Sequence, residues 1–383
     1  MPIVSAGVRC DGARGPCRAW LVLALCLAIP FVSARAQSAG RHPDRRYVDQ
    51  SIPVTTTIRL AGPRTGPPLA LGTTALATIG VEDGPDHFMF GEIAGAAGTA
   101  LGRIVAADRK TWDVRLFDAQ GRFLQYLGRR GQGPGEFRAP HTIWVTPADE
   151  IWVADMQRRL TVFAPSPDGY KLHRTIPTSE IGIRSLCMLG NDLIANGVAM
   201  GDPFAIRVLD SQARPVRSFA KLYSSPNALV NLQFSEGFIA CDPTNNLIIL
   251  ASPAVLGEIR AYRRDGRAVW RIVIEDLKNN IITDNEGGGL TVQGSPNGAH
   301  ALVSLNVVPR VGIVVQYGFR SIEQMKAKEA ASDIVTIVID PRTGAAAVSP
   351  AALPRIGAVY GERAIVFLED PAPRLEIREL RRP

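Results

Sequence analysis

The amino-acid sequence predicts an all-β fold, a six-bladed β-propeller whose ring is closed by an N-terminal outer strand pairing with the C-terminal blade. Three observations predict it. A unit of about 40–50 residues recurs along the chain. Each copy resolves into four short β-like segments. An isolated outer segment precedes the first copy, while the last copy lacks its own outer segment. This period and strand number are typical of propeller blades.

The repeat is recognised from loop and strand residues that recur at a nearly fixed distance. GPGEF at residues 133–137 has a counterpart in GPDHF at 84–88, and the Ala-Asp pair at 154–155 has one at 107–108. The strand after each pair carries a large apolar residue that recurs after 46, 46 and 53 residues, at Phe117, Phe163, Leu209 and Tyr262. The chain is therefore an array of similar units.

Each unit reads as four strands joined by tight turns. In the second unit the segments are 141–146, 151–154, 160–164 and 170–176. They are rich in β-branched and aromatic residues, and Gly, Pro, Asp or Asn separates nearly every pair. Turn sequences such as Ser-Pro-Asp-Gly suit hairpins. A helical solenoid is excluded because the apolar residues lack helical spacing.

The number of units predicts six blades. Four units lie between Phe90 and Asp276. A fifth, less regular unit has strands at 300–307 and 333–350, and the last unit, at 355–380, supplies only three strands.

Two segments depart from the regular pattern. SIEQMKAKEAASD, within the fifth unit, has helical composition and predicts a helical excursion at about 308–332 on one face. ALATIG at 75–80 has the sequence of a fourth strand but no preceding three. We expect it to complete the sixth blade, because this pairing leaves no open edge in the ring.

The first 36 residues have the pattern of a secretory signal peptide. Basic residues precede an uncharged run at 19–32, and small residues follow before Gln37. A membrane anchor is the alternative, but the run is short and contains Pro30. We therefore expect a periplasmic or secreted protein in which residues 37–68 form an N-terminal extension and residues 69–383 form the propeller.

Composition excludes some classes of function. The net charge is +7 over 383 residues, but the arginines are scattered and no basic stripe carries interleaved aromatic residues. Nucleic-acid binding is therefore not expected. No later run is apolar for long enough to form a transmembrane helix. We also expect the protein to be a monomer. The extension reads as mostly extended, although VTTTIRL at 54–60 could add a strand to an exposed edge.

Two cysteines remain after the leader is removed, Cys187 and Cys241. When Leu193 and Leu247 are aligned as the starts of second strands, both cysteines fall six residues earlier. They therefore occupy equivalent inner-strand positions in neighbouring blades. Two buried thiols are one interpretation. A disulfide across the blade interface is the other, because exported proteins fold in an oxidising environment.

The opening part of the second unit has a recognisable family character. The stretch GQGPGEFRAPHTIWVTPADEIWVADMQRRLTVFAPSPDG resembles an NHL repeat, and the chain from about Leu69 resembles exported bacterial six-bladed β-propellers of that type. The second unit departs from the pattern at residues 156–158, where Met-Gln-Arg replaces the more usual Asn-containing turn. The resemblance implies the fold and leaves the activity open.

Metal-binding candidates follow from similar propellers. Peptidyl-hydroxyglycine amidating lyases, which resemble this fold, hold a metal with histidines at the Pro-His position of several blades, and this position is occupied here by His141. A catalytic zinc site needs three protein ligands, and no other blade repeats Pro-His. Lactonase-type propellers imply calcium instead, for which Glu92, Asn231 and Glu236 are candidates near the channel.

Two aspartates recur by register and predict a structural role. Asp108 and Asp155 each follow a second strand, where a carboxylate can close a turn by accepting backbone N–H groups. No cofactor is predicted, and zinc or calcium is the alternative. The sequence favours a binding or interaction module for a protein, peptide or glycan. A metal-dependent lyase or hydrolase at the channel mouth is the second hypothesis.

Overall fold

The computed structural model describes residues 48–381, except 200–201, 225–227, 254–255, 280, 285–289, 294, 328, 330 and 332. The predicted signal peptide at 1–36 lies outside these residues, as does the first part of the extension. No helix among the described residues is long and apolar enough to cross a bilayer.

The first half of the chain contains three short strands and three blades of antiparallel strands. The short strands are β1 (Thr56–Ile58), β2 (Ala70–Leu71) and β3 (Ala77–Ile79). Blade 1 comprises β4 (Ile93–Gly98), β5 (Ile104–Asp108), β6 (Asp113–Phe117) and β7 (Phe123–Arg130), with β8 (Glu136–Phe137) parallel to β7. Blade 2 comprises β9 (Pro140–Val145), β10 (Ile151–Asp155), β11 (Arg159–Ser166) and β12 (Gly169–Pro177). Blade 3 comprises β13 (Gly182–Leu189), β14 (Asp192–Val198), β15 (Phe204–Leu209) and β16 (Pro215–Lys221).

The second half contains three further blades and two helices. After α1 (Ala228–Ser235), blade 4 comprises β17 (Phe238–Asp242), β18 (Leu247–Ala251), β19 (Glu258–Tyr262) and β20 (Ala268–Ile274). A separate hairpin follows, β21 (Ile281–Asp284) with β22 (Leu290–Gln293). Blade 5 comprises β23 (Ala299–Val308), β24 (Gly312–Arg320), β25 (Asp333–Ile339) and β26 (Ala346–Val348), with α2 (Ile322–Ala327) between β24 and β25. Blade 6 comprises β27 (Arg355–Tyr360), β28 (Arg363–Leu368) and β29 (Arg374–Arg381).

The blades surround a central axis. The inner strands β4, β9, β13, β17, β23 and β27 contact one another in this order, and β27 contacts β4. The apolar core lies between the faces of neighbouring blades. Val105 and Leu116 of blade 1, for example, cluster with Val153 and Phe163 of blade 2. Because both faces of the middle strands are covered, these strands read as nearly continuous apolar runs.

The predicted ring closure is confirmed. β3 pairs antiparallel with β29, with Ile79 opposite Leu375 and Ala77 opposite Ile377. Ile79 is completely buried in a cluster that joins blade 6 to blade 1. The N-terminal strand therefore supplies the outer strand that the last unit lacks.

Residues 48–71, which we call the belt, run along the outer edges of blades 4, 5 and 6. β1 lies parallel to β20, as the sequence VTTTIRL allowed. The Gly66 N–H then donates to the carbonyl of Val348 in blade 5 at 2.9 Å, and β2 pairs with β29 in blade 6. Ile58 and Leu69 are buried. The described part of the extension is therefore packed against the blades, where the sequence suggested a mostly extended tail with one possible edge strand.

The helical excursion predicted at about 308–332 is wrong over most of its length. Gly312–Arg320 forms β24, the second strand of blade 5, and the helix is confined to Ile322–Ala327. Residues 313–315 are buried β-branched residues, and this packing determines the local structure. His300 consequently lies on the inner strand β23.

Candidate functional site at the channel mouth

The antiparallel order of each blade creates two distinct faces. The segments that lead into the inner strands and those that join second to third strands lie on one face, which we call the loop face. The hairpins that join first to second and third to fourth strands lie on the opposite face, which we call the hairpin face. His141, at the start of β9, and Glu92, just before β4, lie at the mouth of the central channel on the loop face.

His141 connects two blades. Its Nε2 lies 2.9 Å from the carbonyl oxygen of Ile183 on β13, and its Nδ1 lies 3.4 Å from that of Ala139. A carbonyl oxygen can only accept, so Nε2 carries the proton in this arrangement. The lone pair that a metal ion needs is then absent from Nε2. The neighbouring Thr142 hydroxyl donates to the carbonyl of Arg184 in the same way, at 2.8 Å.

The carboxylates considered for calcium lie in separate places. Glu92 forms an ion pair with Arg109 in its own blade. Glu236 pairs with Arg184 at 3.1 Å, which joins blade 4 to blade 3, and Asn231 lies on α1. Among the residues that the structure describes, no group of three or more His, Cys, Asp and Glu side chains could hold a metal ion. The described residues therefore fit neither the zinc set nor the calcium set.

The two recurring aspartates sit at turns on the loop face. Both carboxylates are buried, and each accepts main-chain N–H groups from the segment leading into its inner strand and from the turn that follows it. The donors are Gly91 (2.6 Å), Glu92 (3.1 Å), Lys110 (2.8 Å) and Thr111 (3.2 Å) for Asp108, and Arg138 (3.1 Å) and Gln157 (3.0 Å) for Asp155. These bonds fix the loops beside the channel mouth.

Cys187 lies on β13 and Cys241 on β17, so the two residues face each other across blades 3 and 4. The structure joins them by a disulfide, with the Cα atoms 5.6 Å apart. This separation is within the usual range for a disulfide. That the bond forms in the exported protein stays a prediction.

Two buried amides were not anticipated from the sequence. The completely buried Gln316 accepts the N–H of Ile356 at 2.7 Å through Oε1 and donates to the carbonyl of Pro354 at 2.9 Å through Nε2. Asn196 holds the start of β17 in the same way, with 2.9 Å bonds to Gly237 N–H and the Ser235 carbonyl. Each amide therefore fastens the next blade's inner strand. The available signal was an amide residue within an otherwise apolar second strand.

Three buried arginines were also missed. They occupy equivalent positions on third strands, spaced like the large apolar residues of the repeat, and each pairs with a nearby carboxylate. The pairs are Arg115 with Asp113 (2.7 Å), Arg207 with Asp202 (2.9 Å) and Arg260 with Glu258 (2.6 Å). Part of the arginine content that looked scattered is thus a periodic element of the blade interior.

Other cations on the loop face are exposed and form what we call the cationic surface. Lys110, Arg130, Arg138 and Arg158 belong to blades 1 and 2, and no described carboxylate lies within 4 Å of any of them. Arg130 stacks over the ring of Trp112, 4.1 Å from its centroid. Met156, between these cations, has 68% of its surface exposed.

A cavity of about 570 Å³ lies away from the channel mouth, on the hairpin face between blades 4 and 5. Val307, Val338 and Ala346 contribute apolar wall, Pro67 of the belt contributes one side, and the buried Asp242 is also part of the lining. Neither His141 nor Glu92 lines it.

Comparisons with known proteins agree with this architecture. The sequence profile of a family described as DUF5128, 6-bladed beta-propeller, matches residues 84–179. The chain is a six-bladed β-propeller. A candidate exported protein from Bacteroides fragilis has a similar structure, with a TM-score of 0.55 and 11% identity over 86% of this chain and 99% of that chain. A search of curated proteins finds no relative of this propeller.

Two further solved structures are similar at lower scores. A protein of unknown function from Bacteroides caccae has a TM-score of 0.43 and 13% identity, over 70% of this chain and 85% of that chain. Virginiamycin B lyase from Staphylococcus aureus has a TM-score of 0.44 and 11% identity, over 82% of this chain and 100% of that chain. Identities this low leave the propeller's own residues as the guide to function.

Proposed function

We propose that this propeller is an exported binding module, and that it binds an acidic protein, peptide or glycan ligand through the cationic surface of the loop face. The observation that carries the proposal is the set of four exposed cations, Lys110, Arg130, Arg138 and Arg158, with no carboxylate partner among the described residues. They lie beside an exposed methionine, which supplies apolar contact area.

The loops that carry these cations are held in place before any ligand arrives. The Arg138 N–H is bonded to Asp155, and the Lys110 N–H to Asp108, so the backbone at both positions is fixed by a buried carboxylate. Loops held by a rigid scaffold are common binding surfaces. A surface that is already ordered loses less conformational entropy on binding, which favours affinity.

The test compares two variants with the same change of charge. The surface variant carries K110Q, R130Q, R138Q and R158Q. The control carries R122Q, R214Q, R310Q and R342Q, four exposed arginines of the hairpin face. We expect the mature protein to bind immobilised poly-glutamate or a polyuronate in biolayer interferometry, with binding weakened by added salt. The surface variant should lose binding and the control should keep it. Equal loss in both variants, or no binding by the unmodified protein, would refute the proposal.

A metal-dependent lyase or hydrolase stays a prediction from the sequence. The described residues supply no ligand set for it. Elemental analysis of the purified protein separates the two hypotheses, because a stoichiometric zinc or calcium ion would favour the enzyme.

Export is the second part of the proposal. Its support is the leader pattern at 1–36 together with the disulfide geometry of Cys187 and Cys241. Disulfides persist in oxidising compartments and are rare in reducing ones. Fractionation of cells that produce the full chain should place the mature protein outside the cytoplasm, with Gln37 as its first residue.

A further inference from the structure

The hairpin joining the third and fourth strands has the same turn in blades 1, 3 and 4, and blade 4 changes the charge of that turn. In blades 1 and 3 the turn begins with Asp118 or Asp210. Each carboxylate accepts the main-chain N–H of the arginine four residues later at 2.9 Å, and it also pairs with that arginine's side chain. These arginines are Arg122 and Arg214. Blade 5 also begins this hairpin with an aspartate, Asp340, but its turn is one residue longer and the Asp340 N–H donates to the Ala345 carbonyl.

Blade 4 has Arg263 at the position where blades 1, 3 and 5 have an aspartate. The main chain of the turn is unchanged. The Arg263 N–H donates to the Arg267 carbonyl at 2.8 Å, as that of Asp118 does to Arg122 at 2.9 Å. In blade 4 the Asp265 carboxylate accepts the main-chain N–H of Arg267, at 2.9 Å. The turn therefore keeps its shape, but its first and last residues are two arginines instead of an aspartate and an arginine.

Main-chain carbonyl groups and one carboxylate hold these arginines around a concavity between blades 3 and 4. The Arg263 guanidinium donates to the Asn245 carbonyl at 2.7 Å. Arg264 forms a two-point contact with Asp192 of blade 3, at 2.6 and 2.7 Å. Arg217, from β16, donates to the Arg264 carbonyl. The concavity is open to solvent and has a volume of about 490 Å³, and its charged lining consists of four arginines and two aspartates.

The pocket has an excess of positive charge. The hydrogen bonds from Arg264 hold the pKa of Asp192 below its usual value, so this carboxylate stays ionised and neutralises Arg264. Among the described residues, no carboxylate forms an ion pair with Arg217, Arg263 or Arg267. The four arginines and two aspartates give the lining a net charge of +2, and an anion bound there lessens the repulsion among the guanidinium groups.

We propose that this pocket binds a doubly charged tetrahedral oxyanion, a phosphate or sulfate group, through Arg217, Arg263 and Arg267. Guanidinium groups match such oxyanions with paired N–H donors, and anchoring to neighbouring carbonyl groups orients them in advance. The volume is within the range of small-ligand pockets and exceeds what one oxyanion fills. There is room for the molecule that carries the group. The site lies on the hairpin face and is independent of the cationic surface.

The decisive variant, R263D, introduces the aspartate that blades 1, 3 and 5 have at this position. R263D rebuilds the pair that Asp118 makes with Arg122, so it should fold and melt like the unmodified protein. Isothermal titration of the mature protein with inorganic phosphate, glucose 6-phosphate and glucose should give one saturable site for the first two ligands, weakened by salt. We expect R263D and R217Q each to weaken it about tenfold or more, since each loses a charge-assisted hydrogen bond. R122Q, at the position in blade 1 that matches Arg267, should leave it unchanged.

The ligands also identify the source of the anion. Equal affinity for inorganic phosphate and the sugar phosphate assigns a free anion, whereas tighter binding of the sugar phosphate assigns an ester. Either result supports the site. It is refuted if neither phosphate binds at millimolar concentration, or if R263D binds as well as the unmodified protein. The variant of the cationic surface should keep phosphate affinity, so failure of one proposal is distinguishable from failure of the other.

Discussion

Replacement of Gln316 by leucine tests whether a single amide holds blade 6 to blade 5. Gln316 is completely buried, and its Oε1 and Nε2 bond the Ile356 N–H and the Pro354 carbonyl at the start of β27. Leucine has a similar volume and offers neither a donor nor an acceptor. The substitution therefore removes the bonds without opening a large cavity.

The magnitude follows from the groups left without partners. A buried polar group that loses its hydrogen bond costs about 1–3 kcal/mol. Two main-chain groups would be orphaned, so we expect Q316L to lower the free energy of unfolding by about 2–6 kcal/mol. The hydroxyls of Ser304 and Thr336 also lose their bonds to Gln316, and this range counts only the two main-chain groups.

Two measurements check this prediction. Urea unfolding followed by circular dichroism gives the change in stability, and hydrogen exchange reports the Ile356 amide directly. Gln120 is exposed on a hairpin turn, so Q120L is the control and should change stability by less than about 0.5 kcal/mol. If Q316L were as stable as Q120L and the Ile356 amide stayed protected, the amide would not fasten the two blades.

Three further predictions concern the disulfide, a histidine and the belt. Under denaturing, non-reducing conditions neither Cys187 nor Cys241 should be alkylated, and mass spectrometry showing two modified thiols would exclude the bond. Burial lowers the pKa of His300, so the unfolded chain takes up a proton at higher pH than the folded one. The contribution of the neutral His300 imidazole to folding stability is therefore present above about pH 6.5 and is lost as the pH falls. In an H300Q variant the free energy of unfolding should depend less on pH over this range. L69A should cost about 2–5 kcal/mol because Leu69 of the belt is buried, whereas the exposed control L101A should cost almost nothing in the same urea titration.

The fold was predictable because its information is local and repeated. Turn residues and apolar runs of strand length mark each blade, and an Ala-Asp pair recurs in blades 1 and 2. The same spacing showed that residues 75–80 form an outer strand that must pair with another blade. Local signals failed where packing overrode composition. The helical segment predicted at about 308–332 was too long, because residues 313–315 are buried between blades and form part of β24.

The candidate site was less predictable because its contacts join residues that are distant in the chain. The sequence identified His141 and aligned the cysteines, but only the tertiary structure placed the His141 imidazole against the Ile183 carbonyl. The position of Arg263 in the repeat could be read from the sequence, but its role in a pocket became visible only with Arg217 and Asp192 of the preceding blade. By itself the sequence determined the blades and the order in which they close. Only the packed ring decided which side chains meet across the blade interfaces, because the spacing of residues along one strand does not specify which residues of the neighbouring blade they contact.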